Sequence, residues 1–158
     1  MDTFYLFYKI NQNDVKPVDY IAWAIKMLEN TCSSFSLNIL SSLREPFNIF
    51  EVEDYFRRAL RELDLQEPSF EQCVAHYIRV LSKRILEDEN NALDLAYEIY
   101  EVVRNFDYPY PTDLEEWYNI SEMIDNYRYG DNSSKLSKEI LILIIKREAK
   151  NQLRRSSK

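Results

Sequence analysis

Arg61-Glu62-Leu63-Asp64-Leu65-Gln66-Glu67-Pro68-Ser69 and Arg104-Asn105-Phe106-Asp107-Tyr108-Pro109-Tyr110-Pro111-Thr112 follow one pattern. An arginine precedes an apolar-Asp-apolar triplet, and a proline then leads into a small hydroxyl residue. Every matched pair is 43 residues apart, and the match runs without a gap from Asn48 and Asn91 to Gln72 and Glu115. The apolar positions repeat as well. Phe50, Val52, Phe56, Ala59, Leu60 and Leu63 are matched by Leu93, Leu95, Ile99, Val102, Val103 and Phe106. Their spacing has the helical period, so each set predicts a helix with one core-facing stripe. The middle of the chain is therefore read as one helical hairpin, used twice.

Capping residues mark the ends of these helices. Asn48 with Glu51 predicts the first start. Ser69 with Gln72 predicts the second, and Thr112 with Glu115 the same box in the second copy. Gly130, the only glycine, follows Tyr127 and Tyr129, where a helix end calls for a left-handed residue.

Upstream, Pro17 suits the first position of a helix over residues 17–30, with Ile21, Ala24, Ile25 and Leu28 as its apolar stripe beside Trp23 and Met27. A shorter helix is expected over residues 36–43, and Pro46 ends that pair. Phe4, Leu6, Tyr8 and Ile10 alternate with other residues, which fits a short strand, a short helix or an extended packed segment.

Downstream, a half-unit begins at Ser134 and gives one long helix over residues 136–155. Its first half is apolar nearly all round, and it is expected to be buried against the preceding pair. The fold class is all-α. About seven helices in antiparallel hairpins are expected, in a right-handed array or an irregular bundle, within one domain spanning 1–158. The units are about 48–90 and 91–133, followed by a basic C-terminal helix, 134–158.

Composition narrows the function. A single glycine in 158 residues argues against a hairpin-rich β fold and against glycine-rich nucleotide cradles. Residues 146–158 carry five net positive charges; with −7 on the whole chain, the body holds −12. Such a body repels nucleic acid and attracts basic partners. The basic tail is either a solvated last helical turn, favoured by the helix dipole, or a contact for an anion. The longest aliphatic run, residues 140–145, is far short of a membrane span, and no N-terminal signal is visible. A cytoplasmic protein with no membrane partner is expected. Cys32 and Cys73 lack metal-ligand spacing and read as buried free thiols.

No catalytic pattern stands out. His76 lies three residues from Cys73, without a third member, and reads as a structural histidine. No Glu-x-x-His pairs mark a carboxylate metal site, so neither metal nor cofactor is expected. The repeated Asp64 and Asp107, with Arg61 and Arg104, read as turn caps and their partners. The best candidate site is the tyrosine cluster of Tyr108, Tyr110, Tyr118, Tyr127 and Tyr129 with Trp117. Its rings either plug the ends of the hairpin core or form an interface, for which tyrosine suits well beside acids. The expected partner-binding set is Asp107, Tyr108, Tyr110, Asp113, Glu115 and Glu116.

Two resemblances follow from these residues. The two-helix period, with its Asp turn and Pro-Ser/Thr entry over residues 48–127, is similar to HEAT and armadillo-type repeats. In such proteins stacked repeats present one helix layer to a partner, so the resemblance implies a non-catalytic protein-binding module. The segment Asp107-Tyr108-Pro109-Tyr110-Pro111, with the size and acidity of the chain, resembles the acid-plus-tyrosine patches of helical DNase-colicin immunity proteins. This implies a bacterial toxin-neutralising role toward a basic protein. The alternative is a regulator or adaptor that touches nucleic acid through the basic tail.

Overall fold

The computed structural model describes residues 1–131 and 136–155. Most of the loop expected at 131–134, the start of the half-unit at Ser134 and the last cation, Lys158, lie outside the described residues. Among those described, all regular structure is helical: α1 (Thr3–Asn11), α2 (Pro17–Glu29), α3 (Phe35–Ser42), α4 (Ile49–Glu62), α5 (Phe70–Glu87), a 3-10 turn (Glu89–Asn91), α6 (Ala92–Val103), α7 (Glu115–Tyr129) and α8 (Lys138–Arg155). The all-α expectation holds. The added helix is α1, in the aromatic segment where strand and helix were both open. Asp2 starts it by accepting the Tyr5 N–H at 2.9 Å. Helices α4 and α6 begin 43 residues apart, as the sequence period requires.

The chain packs as two compact units, Met1–His76 and Tyr77–Lys158. The division falls within α5, inside the first expected repeat rather than between the two.

In the first unit α3 packs on α4, α2 packs on both, and α1 packs on α2. The Phe56 ring of α4 is the centre of this core. It meets Tyr20 and Trp23 of α2 at 4.9 Å each and Phe7 of α1 at 5.7 Å. Burial of a ring like this contributes roughly 1.5–3 kcal/mol. The Trp23 indole N–H donates to the Thr3 hydroxyl at 3.0 Å, so its polar edge is satisfied. Lys9 and Asp19 close the same region as a nearly buried ion pair at 2.7 Å, which raises the Lys9 pKa.

Two sequence expectations fail here. The buried stripe of α2 is Tyr20, Trp23 and Ala24, so Ile25 faces out. Phe50 is 79% exposed, although its counterpart Leu93 is buried. The same repeat position meets different partners: α4 packs on α2 and α3, whereas α6 packs on α7 and α8.

Three helices end alike. Asn13, Thr31 and Asp64 follow the C-caps of α1, α2 and α4 with φ of 54°, 66° and 53°. Next to them, Asp14, Cys32 and Leu65 send their N–H groups back to Lys9, Met27 and Leu60 carbonyls at 2.9–3.1 Å. These are Schellman ends built without glycine. The one glycine sits elsewhere. Gly130 has φ −69°, so the expected left-handed cap is corrected. A Cβ there would lie 2.3 Å from the Asn126 carbonyl oxygen, and this close approach is what requires glycine.

In the second unit Leu93, Leu95, Ala96, Ile99, Val102 and Val103 of α6 are all buried, against Trp117, Ile120 and Ile124 of α7 and Leu141, Ile145 and Ala149 of α8. Helix α8 is not apolar-buried all round: Leu143 is 65% exposed and Ile140 is exposed beside it. Tyr127 of α7, expected inside, is exposed. The Thr112–Glu115 box also fails. Helix α7 begins two residues later than it would require, because the Pro111 carbonyl captures the Leu114 and Glu115 N–H groups at 2.8 and 3.1 Å.

Candidate functional site

The segment between α6 and α7 carries the candidate residues. Helix α6 stops at Arg104, and tight turns follow, with Asn105 and Phe106 N–H groups bonded to Val102 and Val103 carbonyls. Asp107 lacks the left-handed backbone of its counterpart Asp64, so the expected equivalence of the two turn caps is corrected. Arg104 pairs with Glu101 of its own helix, at 3.1 Å. The chain then runs through a cis Tyr108–Pro109 bond to Pro111.

Of the six expected partner-binding residues, Asp107, Tyr108, Asp113 and Glu115 are exposed, and Tyr110 and Glu116 are half-buried. Tyr108 is 80% exposed. The structure divides the six between two neighbouring features.

The first is a row of tyrosine rings. Tyr97 meets Tyr100 at 5.6 Å, Tyr100 meets Tyr118 at 6.0 Å, Tyr118 meets Tyr110 at 5.6 Å, and Tyr110 meets Tyr108 at 5.7 Å. The rings are tilted or edge-on, the favoured geometry for aromatic pairs. Burial, and then Asp125, push the Tyr97 phenol up; burial, and then Tyr110, do the same for Tyr100. Both therefore stay neutral donors near pH 7. The Arg104 guanidinium lies over the Tyr100 ring, 5.9 Å from its centre. Sequence reasoning missed Tyr97 and Tyr100. Their i, i+3 spacing on α6 was the available signal. Tyr127 and Tyr129 are exposed at the far end of α7 and form none of these ring pairs.

The second feature is an open polar cleft of about 410 Å³ between α7 and α8. Glu115 and Glu116 line it from one side and Arg147, Glu148, Asn151 and Arg155 from the other. Glu148 is only 5% exposed and accepts from Arg155 at 2.9 Å and Asn151 at 3.2 Å. Arg155 also donates to the Asp113 carbonyl at 2.8 Å. The acidic start of α7 is thus met by cations of the tail. Lys146 is likewise bonded to Glu89. Arg147, Lys150 and Arg154 make no ion pair among the described residues.

Cys73 is fully buried, and burial followed by the Glu67 and Asp2 charges pushes its thiol up. A nucleophilic cysteine needs the opposite shift. Cys32, expected buried, is half-buried. His76 stacks on Phe4 at 5.0 Å, with Nε2 standing 3.3 Å from Asp2 without a hydrogen bond. Among the described residues no group of three or more His, Cys, Asp or Glu side chains could hold a metal ion, and no helix is long and apolar enough to cross a membrane. Compared with known proteins, the chain matches no family model, no curated protein and no solved structure.

Proposed function

We propose that this chain is a non-catalytic module that binds another, basic protein through the tyrosine row and the acids of residues 107–116. The carrying observation is Tyr108, which stands almost fully exposed beside the exposed Asp107 and is backed by Tyr110, Tyr118 and Tyr100. A large ring held at low entropy cost, next to acids, is what a protein interface uses. The buried, protonated Cys73 supports a non-catalytic role. A bacterial toxin-neutralising (immunity) role is the concrete form of this proposal, since a secreted basic enzyme would meet both the charge and the rings.

The alternative, an adaptor touching nucleic acid through the tail, draws support from the unpaired Arg147, Lys150 and Arg154. It loses support from Lys146 and Arg155, which are already held by Glu89 and Glu148.

The test is a pull-down from the native host at low and at physiological salt, with the wild-type chain and Tyr108→Ala as matched baits. A basic protein held by wild type, released by salt and lost with Tyr108→Ala at unchanged helicity is the expected result. Equal capture by both baits rejects this surface. Nucleic acid retained by both and lost on truncation before Arg147 favours the alternative.

A further inference from the structure

We propose that the tyrosine row reads arginine: it docks an arginine-bearing segment of the basic partner and prefers it to a lysine-bearing segment of equal charge. This rests on the protein-binding proposal above. The observation behind it is Arg104. Its guanidinium lies over the Tyr100 ring and bonds both Glu101 carboxylate oxygens, at 3.1 and 3.3 Å. The surface thus already seats one guanidinium, its own, between a ring and an acid.

That seat is one position in a continuous row. Tyr100 touches Tyr118, Tyr118 touches Tyr110, and Tyr110 touches the exposed Tyr108. Asp107, beside Tyr108, is exposed and makes no ion pair among the described residues. Successive rings lie 5.6–6.0 Å apart. In an extended chain, side chains on one side recur about every 6.6–6.8 Å, so alternate residues of a partner segment can meet successive rings. A helical partner's i, i+4 residues recur about every 6 Å, so the ring spacing suits either backbone.

Arginine fits this surface better than lysine for stated reasons. Its planar guanidinium stacks on an aromatic face while its edge donates in a fixed fork to a carboxylate or a phenol oxygen. An ammonium is more strongly hydrated and presents no flat face, so it gains mainly the charge attraction.

The experiment titrates the full chain with two capped peptides of equal length, one alternating arginine with serine and one alternating lysine with serine. Calorimetry at fixed ionic strength reads the affinities. The arginine peptide should bind at least about fivefold tighter. Tyr108→Leu, at an exposed position, should remove most of that difference by weakening the arginine peptide more than the lysine one. Asp107→Asn, at an exposed acid without an ion pair among the described residues, should weaken the arginine peptide more than the lysine one. Equal affinity of the two peptides for wild type overturns the arginine preference and leaves the basic-partner proposal standing. Binding of neither, even at low salt, overturns both.

Discussion

Glu62, at the end of α4, accepts the backbone N–H of Ser36 at 2.9 Å and the Ser36 hydroxyl at 2.8 Å, so the last turn of one helix caps the first turn of another. Hydrogen bonds from the Ser34 hydroxyl, then the Ser36 N–H, then the Ser36 hydroxyl, hold the Glu62 carboxyl below its ordinary value of 4.5. A depressed carboxyl contributes stability that is fully present above its unfolded value. It is lost as pH falls through the folded one. Glu62→Gln should therefore destabilise at neutral pH and flatten the acid limb below about pH 4.5. Urea unfolding across pH checks this. Parallel pH profiles for the two proteins would refute the capping role.

The helix ends give a pair of opposite predictions. Thr31 holds φ 66°, a conformation that is costly for a β-branched residue. Thr31→Gly should stabilise the fold by about 0.5–1 kcal/mol. Gly130→Ala is normally the stabilising kind of change, but its Cβ would meet the Asn126 carbonyl at 2.3 Å, so here it should destabilise by more than about 1 kcal/mol. Denaturant midpoints of the two variants should move in opposite directions. Movement in the same direction would contradict the geometry.

These positions also show what the sequence could and could not carry. Local signals were legible. Pro17 opens α2, Asn48 caps α4, and Ser69 with Gln72 forms the reciprocal box at α5, with bonds of 2.9 and 3.2 Å. The same box failed at Thr112 because a competing local turn intervened: the Pro111 carbonyl takes the Leu114 and Glu115 N–H groups. The identical period hid different neighbours, which is why Phe50 is exposed and Leu93 buried, and why Asp64 is left-handed and Asp107 is not. At the site, the clustering of tyrosines could be read. Its division from the acids could not, because Glu115 and Glu116 face cations more than thirty residues away in the chain, Arg147 and Arg155. Nothing in sequence spacing reports such a meeting of distant helices.

Ser82 lies on α5 with its hydroxyl fully buried and without a hydrogen-bond partner among the described residues. A buried hydroxyl left unpaired costs on the order of 1–3 kcal/mol, and alanine is also the better helix former. Ser82→Ala should accordingly raise stability by about 1 kcal/mol rather than leave a damaging void, since only one oxygen is removed. Thermal and urea unfolding would check it. A loss of stability would mean that the hydroxyl is satisfied after all, by a bound water.

Cys73 and Cys32 should differ sharply in reactivity. Cys73 is fully buried in the core of the first unit, and its thiol is pushed above the ordinary value of 9.0 by burial. Both the missing thiolate and the missing access slow its attack on a disulfide reagent. Cys32 is half-buried, just past the end of α2, and its thiol donates to the Asn30 carbonyl at 3.9 Å. In the native protein Cys32 should therefore label first. Cys73 should lag by on the order of a thousandfold, since its exposure requires opening of the core. In denaturant the two should react alike. Mass spectrometry of the labelled peptides reads both rates. Fast native labelling of Cys73 would mean that the thiol is accessible and ionised, and would contradict its burial.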